Sequence, residues 1–74
     1  MNYDKKIKLL RSSLNLTQKD FAMESSIPLS TLKKIESGIS NGLSAIEQIL
    51  SNEKFVYLAK WFFDPTNNEA PVIN

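Results

Sequence analysis

Residues 16–38, LTQKDFAMESSIPLSTLKKIESG, decide the fold of this chain. Thr17, followed three residues later by Asp20, comes close to a capping box and predicts the start of a helix. The run SSIP must turn the chain, because Pro28 cannot lie inside a helix. A further helix follows this proline and ends near Gly38, a residue suited to the position after a helix. The stretch therefore predicts two short helices joined by a tight turn.

Apolar residues recur at helical spacing on both sides of this stretch. The inward positions predicted for the first, fourth and fifth helices are Tyr3, Ile7, Leu10 and Leu14, then Ile46, Ile49 and Leu50, then Phe55, Leu58, Ala59 and Phe62. No segment alternates at a period of two, so no strand is predicted. We expect an all-α chain with a compact bundle of about five short helices. The domain would occupy residues 1–64, and residues 65–74 would form a loose tail.

The composition argues against an enzyme. The 74 residues include no cysteine and no histidine, which removes disulfides, thiolate metal sites and the commonest general base. Carboxylates are scattered singly, so we expect no catalytic residues, no metal and no cofactor. No apolar run approaches the roughly 18 residues of a membrane span, and the first residues do not resemble a secretion signal. These features favour a cytoplasmic protein without a membrane partner.

The net charge of +1 is divided unevenly along the chain. Residues 1–38 carry seven basic and four acidic side chains, a net +3, whereas residues 39–74 carry two basic and four acidic ones, a net −2. The local field steers binding more than the total charge does. Lys33 and Lys34 lie on a predicted outward face with no acid before Glu36. That face is either an ordinary solvated surface or a contact for phosphates and base edges.

Residues 7–38, IKLLRSSLNLTQKDFAMESSIPLSTLKKIESG, resemble the helix-turn-helix family of lambdoid phage repressors, Cro proteins and Xre-type regulators. The matching features are Arg11, LTQ at 16–18, Phe21 and Ala22, Leu32 and Ile35, and IESG at 35–38. The likeness extends more loosely to Phe63, where FVYLAKWFF is similar to the last helix of small Xre-like proteins. The resemblance implies a lambda repressor-like DNA-binding fold. It also implies a sequence-specific transcriptional regulator of double-stranded DNA, which we expect to be a nucleoid-associated repressor.

The resemblance also implies roles for individual residues. Gln18, at the start of the second helix, would meet a phosphate and brace the third, recognition helix. The other DNA-binding positions that it implies are Leu29, Ser30, Lys33, Lys34, Ser40 and Asn41. Leu29 could lie against a thymine methyl group or pack on its own domain. Arg11 and Glu36 match a buried ion pair that joins the first and third helices.

Two residues depart from the family pattern. Ser26 stands where the turn commonly has glycine, and a positive φ there would cost about 1 kcal/mol. Pro28 stands where a Ser or Thr commonly caps the recognition helix, which leaves the start of that helix open.

The predicted fifth helix is apolar nearly all round. Besides its inward face it carries large apolar side chains at Val56, Tyr57, Trp61 and Phe63. Such a helix must be covered on more than one side, either by the tail through Val72 and Ile73 or by a second copy. A homodimer would read both halves of a palindromic operator. The alternative is a protein-interaction module, such as an antitoxin or adaptor, that grips a protein partner with this helix.

Overall fold

The computed structural model describes residues 3–40 and 42–73. Its helices are α1 at Asp4–Ser13, α2 at Gln18–Ser25, α3 at Leu29–Glu36, α4 at Leu43–Leu50 and, after a 3-10 turn at Val56–Leu58, α5 at Ala59–Phe62. The predicted all-α architecture is confirmed, and no strand occurs in the described ranges. None of the helices described is long and apolar enough to cross a bilayer.

Every helix contributes to one apolar core. The buried apolar side chains are Ile7, Leu10, Phe21, Ala22, Ile27, Leu32, Ile35, Ile46, Ile49, Leu50, Phe55, Leu58 and Phe62. The rings of Phe21 and Phe55, 5.7 Å apart between centroids, join α2 to the segment before α5. Burial of each large side chain stabilises the fold by about 1.5–3 kcal/mol. The core therefore packs against the inner faces of α2 and α3, and side chains on their outer faces are exposed to solvent.

The fifth helix is shorter than its apolar spacing predicts. The chain after α4 forms a turn in which the Oδ1 atom of Asn52 accepts the backbone N–H of Lys54 at 2.9 Å, and a 3-10 turn precedes the four residues of α5. Val56 and Tyr57 have low helix propensity, which favours these tighter turns over a continuous helix. Phe55, Leu58 and Phe62 are nevertheless buried as predicted, because 3-10 turns and α-helix share a similar spacing, whereas Ala59 is only partly buried.

Residues 64–71, here named the C-terminal strap, return onto the fold. Lys6 donates from Nζ to the carbonyl oxygen of Trp61 at 2.7 Å and to that of Asn67, and Nζ lies 4.2 Å from the centre of the Trp61 ring. The indole N–H of Trp61 donates to the carbonyl oxygen of Glu69 at 2.8 Å. Burial lowers the pKa of Lys6, and the nearby Asp64 carboxylate partly offsets that effect. Asn67 and Glu69, in the tail that we expect to be loose, thus contact the fold through their backbone carbonyl groups.

The strap contacts Trp61 without the side chains of Val72 and Ile73, through which one of the two alternatives would have covered it. Its contacts are made by backbone carbonyl groups, and Pro71 is the buried side chain. Val72 points into solvent, with 81% of its surface exposed, and Ile73 is 36% exposed.

Candidate nucleic-acid interface

The break between α2 and α3 is a tight turn with a left-handed residue. The Oγ1 atom of Thr17 accepts the backbone N–H of Asp20 at 3.1 Å, which caps the start of α2 as predicted. At the other end Ser26 has φ 58° and ψ 38°, so the positive φ expected at the glycine position occurs. The backbone N–H of Ile27 then donates to the carbonyl oxygen of Ala22 at 3.0 Å. The left-handed Ser26 and the bond from Ile27 to Ala22 end α2 and turn the chain toward α3.

The recognition helix starts at Leu29 despite its proline cap. Pro28 has φ −63° and ψ 141°, an extended conformation that leads the chain into the first turn of α3. Leu32 and Ile35 point into the core with no exposed surface, and Ala22 of α2, only 2% exposed, gives room for a close approach. The inner face of α3 is thus fixed by packing against the core.

An ion pair anchors the end of α3 to α1. Arg11 donates from Nε and Nη2 to the two carboxylate oxygens of Glu36, at 2.8 and 2.9 Å, and from Nη1 to the carbonyl oxygen of Leu16 at 3.1 Å. Gln18 donates from Nε2 to the same carboxylate at 3.3 Å. Hydrogen bonding to Glu36 raises the pKa of Arg11, although burial acts in the opposite direction. Glu36 is 3% exposed and the Arg11 side chain is 23% exposed, so the ion pair that holds α3 buries the carboxylate but leaves part of the guanidinium side at the surface.

The outer face of α3 carries the remaining polar side chains. Ser30, Lys33 and Lys34 are exposed, whereas Leu29 is half-buried and packs against the core. Because Glu36 points inward to Arg11, α3 presents no exposed acid. A helix about 10–12 Å in diameter fits the major groove of B-DNA, which is about 12 Å wide.

Two of the other predicted contact residues, Gln18 and Ser40, contact α3. Gln18 is half-buried, with one amide hydrogen directed at Glu36. Ser40 is half-buried in the loop after α3, and its Oγ atom accepts the backbone N–H of Gly42 at 3.1 Å. Asn41 lies outside the described residues.

Two residues that the sequence analysis did not place near this site contact the end of α2. Gln48 of α4 donates from Nε2 to the carbonyl oxygen of Ser26 at 2.7 Å, and Asn52 donates from Nδ2 to that of Glu24 at 3.1 Å. Their partners are 22 and 28 residues away in the chain, so no local motif could have revealed them.

A turn-linked helix pair with a buried inner face and a basic outer face defines the class of DNA-binding helix-turn-helix domains. The helix-turn-helix family model HTH_3 matches residues 7–46, more than half of the chain. The chain therefore belongs to the Xre and lambda repressor-like helix-turn-helix family, as its residues predicted, and is a DNA-binding transcriptional regulator. No curated protein and no solved structure gives a significant match.

Proposed function

We propose that the protein is a repressor that reads its operator through α3. The observation that carries this proposal is that Ser30, Lys33 and Lys34 are exposed on one face of α3, while the opposite face packs into the core. Two ammonium groups favour contact with phosphates or with guanine edges, and a hydroxyl can bond to either. A small domain of this kind represses transcription by occupying the promoter. Its site of action would be the cytoplasm, on the nucleoid.

The half-buried residues take supporting roles in this proposal. The amide nitrogen of Gln18 donates one of its two hydrogens to the Glu36 carboxylate, and its second hydrogen can be donated to a phosphate. The part of Leu29 that the core does not cover would lie against a thymine methyl group. Ser40 and Asn41 would meet the DNA backbone from the loop after α3.

We further propose that two copies bind a palindromic operator as a homodimer. The surface near α5 exposes Val56, Tyr57 and Phe63 by 53%, 43% and 44% of their area. Trp61 would lie at the edge of this contact, since the strap already covers part of it. A two-fold contact would set two α3 helices about 34 Å apart, one for each half-site.

The same apolar surface supports the second candidate function, a module that binds another protein. An adaptor has no need of the basic face of α3, and a DNA-binding monomer has no need of exposed aromatic rings. DNA binding by purified protein distinguishes the two candidates, because an adaptor alone would show none.

The test begins with selection of bound fragments from a random DNA library. A palindromic consensus is the expected result for a homodimer, and a consensus without symmetry would contradict it. Affinity for the selected site should fall steeply with salt, because lysine contacts release counterions. A flat salt response would contradict groove binding.

Lys34→Ala should weaken binding and reduce the slope of log affinity against log salt by about 1. The control is Lys54→Ala, which removes the same charge from an exposed position outside α3. Equal losses in the two variants would mean that the contact is not localised on α3.

A further inference from the structure

The C-terminal end of α2 is capped by side chains from a distant part of the chain. The last carbonyl groups of a helix have no partner within it. Here the carbonyl oxygen of Ser26 accepts the Gln48 amide at 2.7 Å, and that of Glu24 accepts the Asn52 amide at 3.1 Å. The Oδ1 atom of Asn52 is held by the backbone N–H of Lys54 at 2.9 Å, which directs the amide nitrogen toward α2. Both amides therefore act on the turn from the side of α4.

The turn needs this support because its own residues strain it. Ser26 has φ 58°, a conformation that glycine adopts freely and that a residue with a Cβ atom resists. The adjacent Ser25 is 2% exposed, and its hydroxyl makes no hydrogen bond with the described residues. The turn ends at Pro28, directly before α3. Any relaxation of Ser26 toward negative φ would thus change the direction in which α3 leaves α2.

We propose that Gln48 and Asn52 are positioning residues for DNA binding, which hold the strained turn so that α3 keeps the angle needed in the groove. The proposed role of α3 in reading DNA is the premise. Gln48 and Asn52 both lie beyond residues 7–46, the part matched by the helix-turn-helix family. This chain therefore supports the turn between α2 and α3 with residues from outside the motif.

The experiment measures the affinity of the full chain for its selected DNA site, well below the temperature of unfolding. Gln48→Ala and Asn52→Ala should each weaken binding by about threefold to tenfold, the range that loss of one hydrogen bond represents. Ser44→Ala, an exposed substitution one turn earlier on α4, is the matched control and should bind normally. Circular dichroism establishes that each variant is folded during the measurement, so that a lower affinity does not reflect unfolding.

A second background tests whether Gln48 acts through the turn. Ser26→Gly removes the strain and keeps the carbonyl group, so Gln48→Ala should cost less than about twofold in that background. An undiminished loss would mean that Gln48 contacts DNA directly, and would overturn the inference.

Two other outcomes separate the inference from its premise. Normal binding by Gln48→Ala together with weak binding by Lys34→Ala would overturn the inference alone. Normal binding by Lys34→Ala would overturn the premise, and the inference with it.

Discussion

Replacement of Arg11 by methionine should destabilise the protein severely. The change keeps an unbranched apolar stem but removes the charge. Among the described residues, the Glu36 carboxylate, 3% exposed in the native fold, would then keep the Gln18 amide at 3.3 Å as its partner. At an effective dielectric constant of about 20, two charges about 4 Å apart attract by about 4 kcal/mol. Loss of one partner of a buried pair costs about 3–5 kcal/mol, in agreement with that value.

This cost is large for so small a chain. Stabilities of about 0.05–0.15 kcal/mol per residue give a free energy of unfolding of about 4–11 kcal/mol for 74 residues. A shift of about 4–8 °C for each kcal/mol then lowers the melting temperature by about 12 °C or more. Hydrogen bonding to Glu36 raises the pKa of Arg11 in the folded protein. The contribution of the Arg11 charge to the free energy of unfolding is therefore complete below the ordinary arginine pKa and is lost only as pH rises through the raised pKa of the folded state. The destabilisation should therefore be observed at neutral pH.

The assay is urea unfolding followed by circular dichroism and by the fluorescence of Trp61, the single tryptophan of the chain. The control is Lys54→Met, because the Lys54–Glu24 pair is exposed and 3.9 Å long, and such pairs contribute about 1 kcal/mol or less. The double variant Arg11→Met with Glu36→Leu should recover much of the loss, since no buried charge remains unpaired. A cost for Arg11→Met no greater than that of Lys54→Met, or a double variant no more stable than Arg11→Met, would refute the reasoning.

Three further substitutions test other parts of the structure. Gly42→Ala should lower the free energy of unfolding by about 2–4 kcal/mol in urea titrations, because Gly42 has φ 62° and an added Cβ atom would overlap the buried Ile35 side chain. A loss of less than about 1 kcal/mol would contradict this prediction. Ser25→Ala should raise the melting temperature through a gain of up to about 1 kcal/mol, since it removes a buried hydroxyl without a described partner from a helix, and a lower melting temperature would indicate that the hydroxyl is bonded. Val56→Lys should convert the proposed dimer to a monomer in sedimentation. The control Val72→Lys changes an exposed valine of the tail and should leave the sedimenting mass of the dimer unchanged. An unchanged mass for Val56→Lys would exclude Val56 from the contact.

The sequence by itself determined the first four helices and the family, because the signals for both are local, whereas it overestimated the length of the fifth helix. Thr17 and Asp20 set the start of α2, Pro28 breaks the chain before α3, and Gly38 follows the end of α3 with φ 80°. The apolar spacing predicted most of the buried side chains, since side chains three and four residues apart share one face, but Tyr3, Leu14 and Ala59 are only partly buried. A turn, a cap and a helical face each depend on residues within a few positions, so each can be read from the printed chain.

The tertiary structure alone decided the contacts that end on backbone carbonyl groups. Lys6 bonds to carbonyls 55 and 61 residues away, and Gln48 and Asn52 bond to carbonyls at the end of α2. Every residue carries the same carbonyl group, so the identity of the acceptor leaves no trace in the sequence. The position of the C-terminal strap and the hydrogen bonds of Gln48 and Asn52 to the end of α2 therefore follow only from how the helices pack, because packing determines which carbonyl meets which side chain.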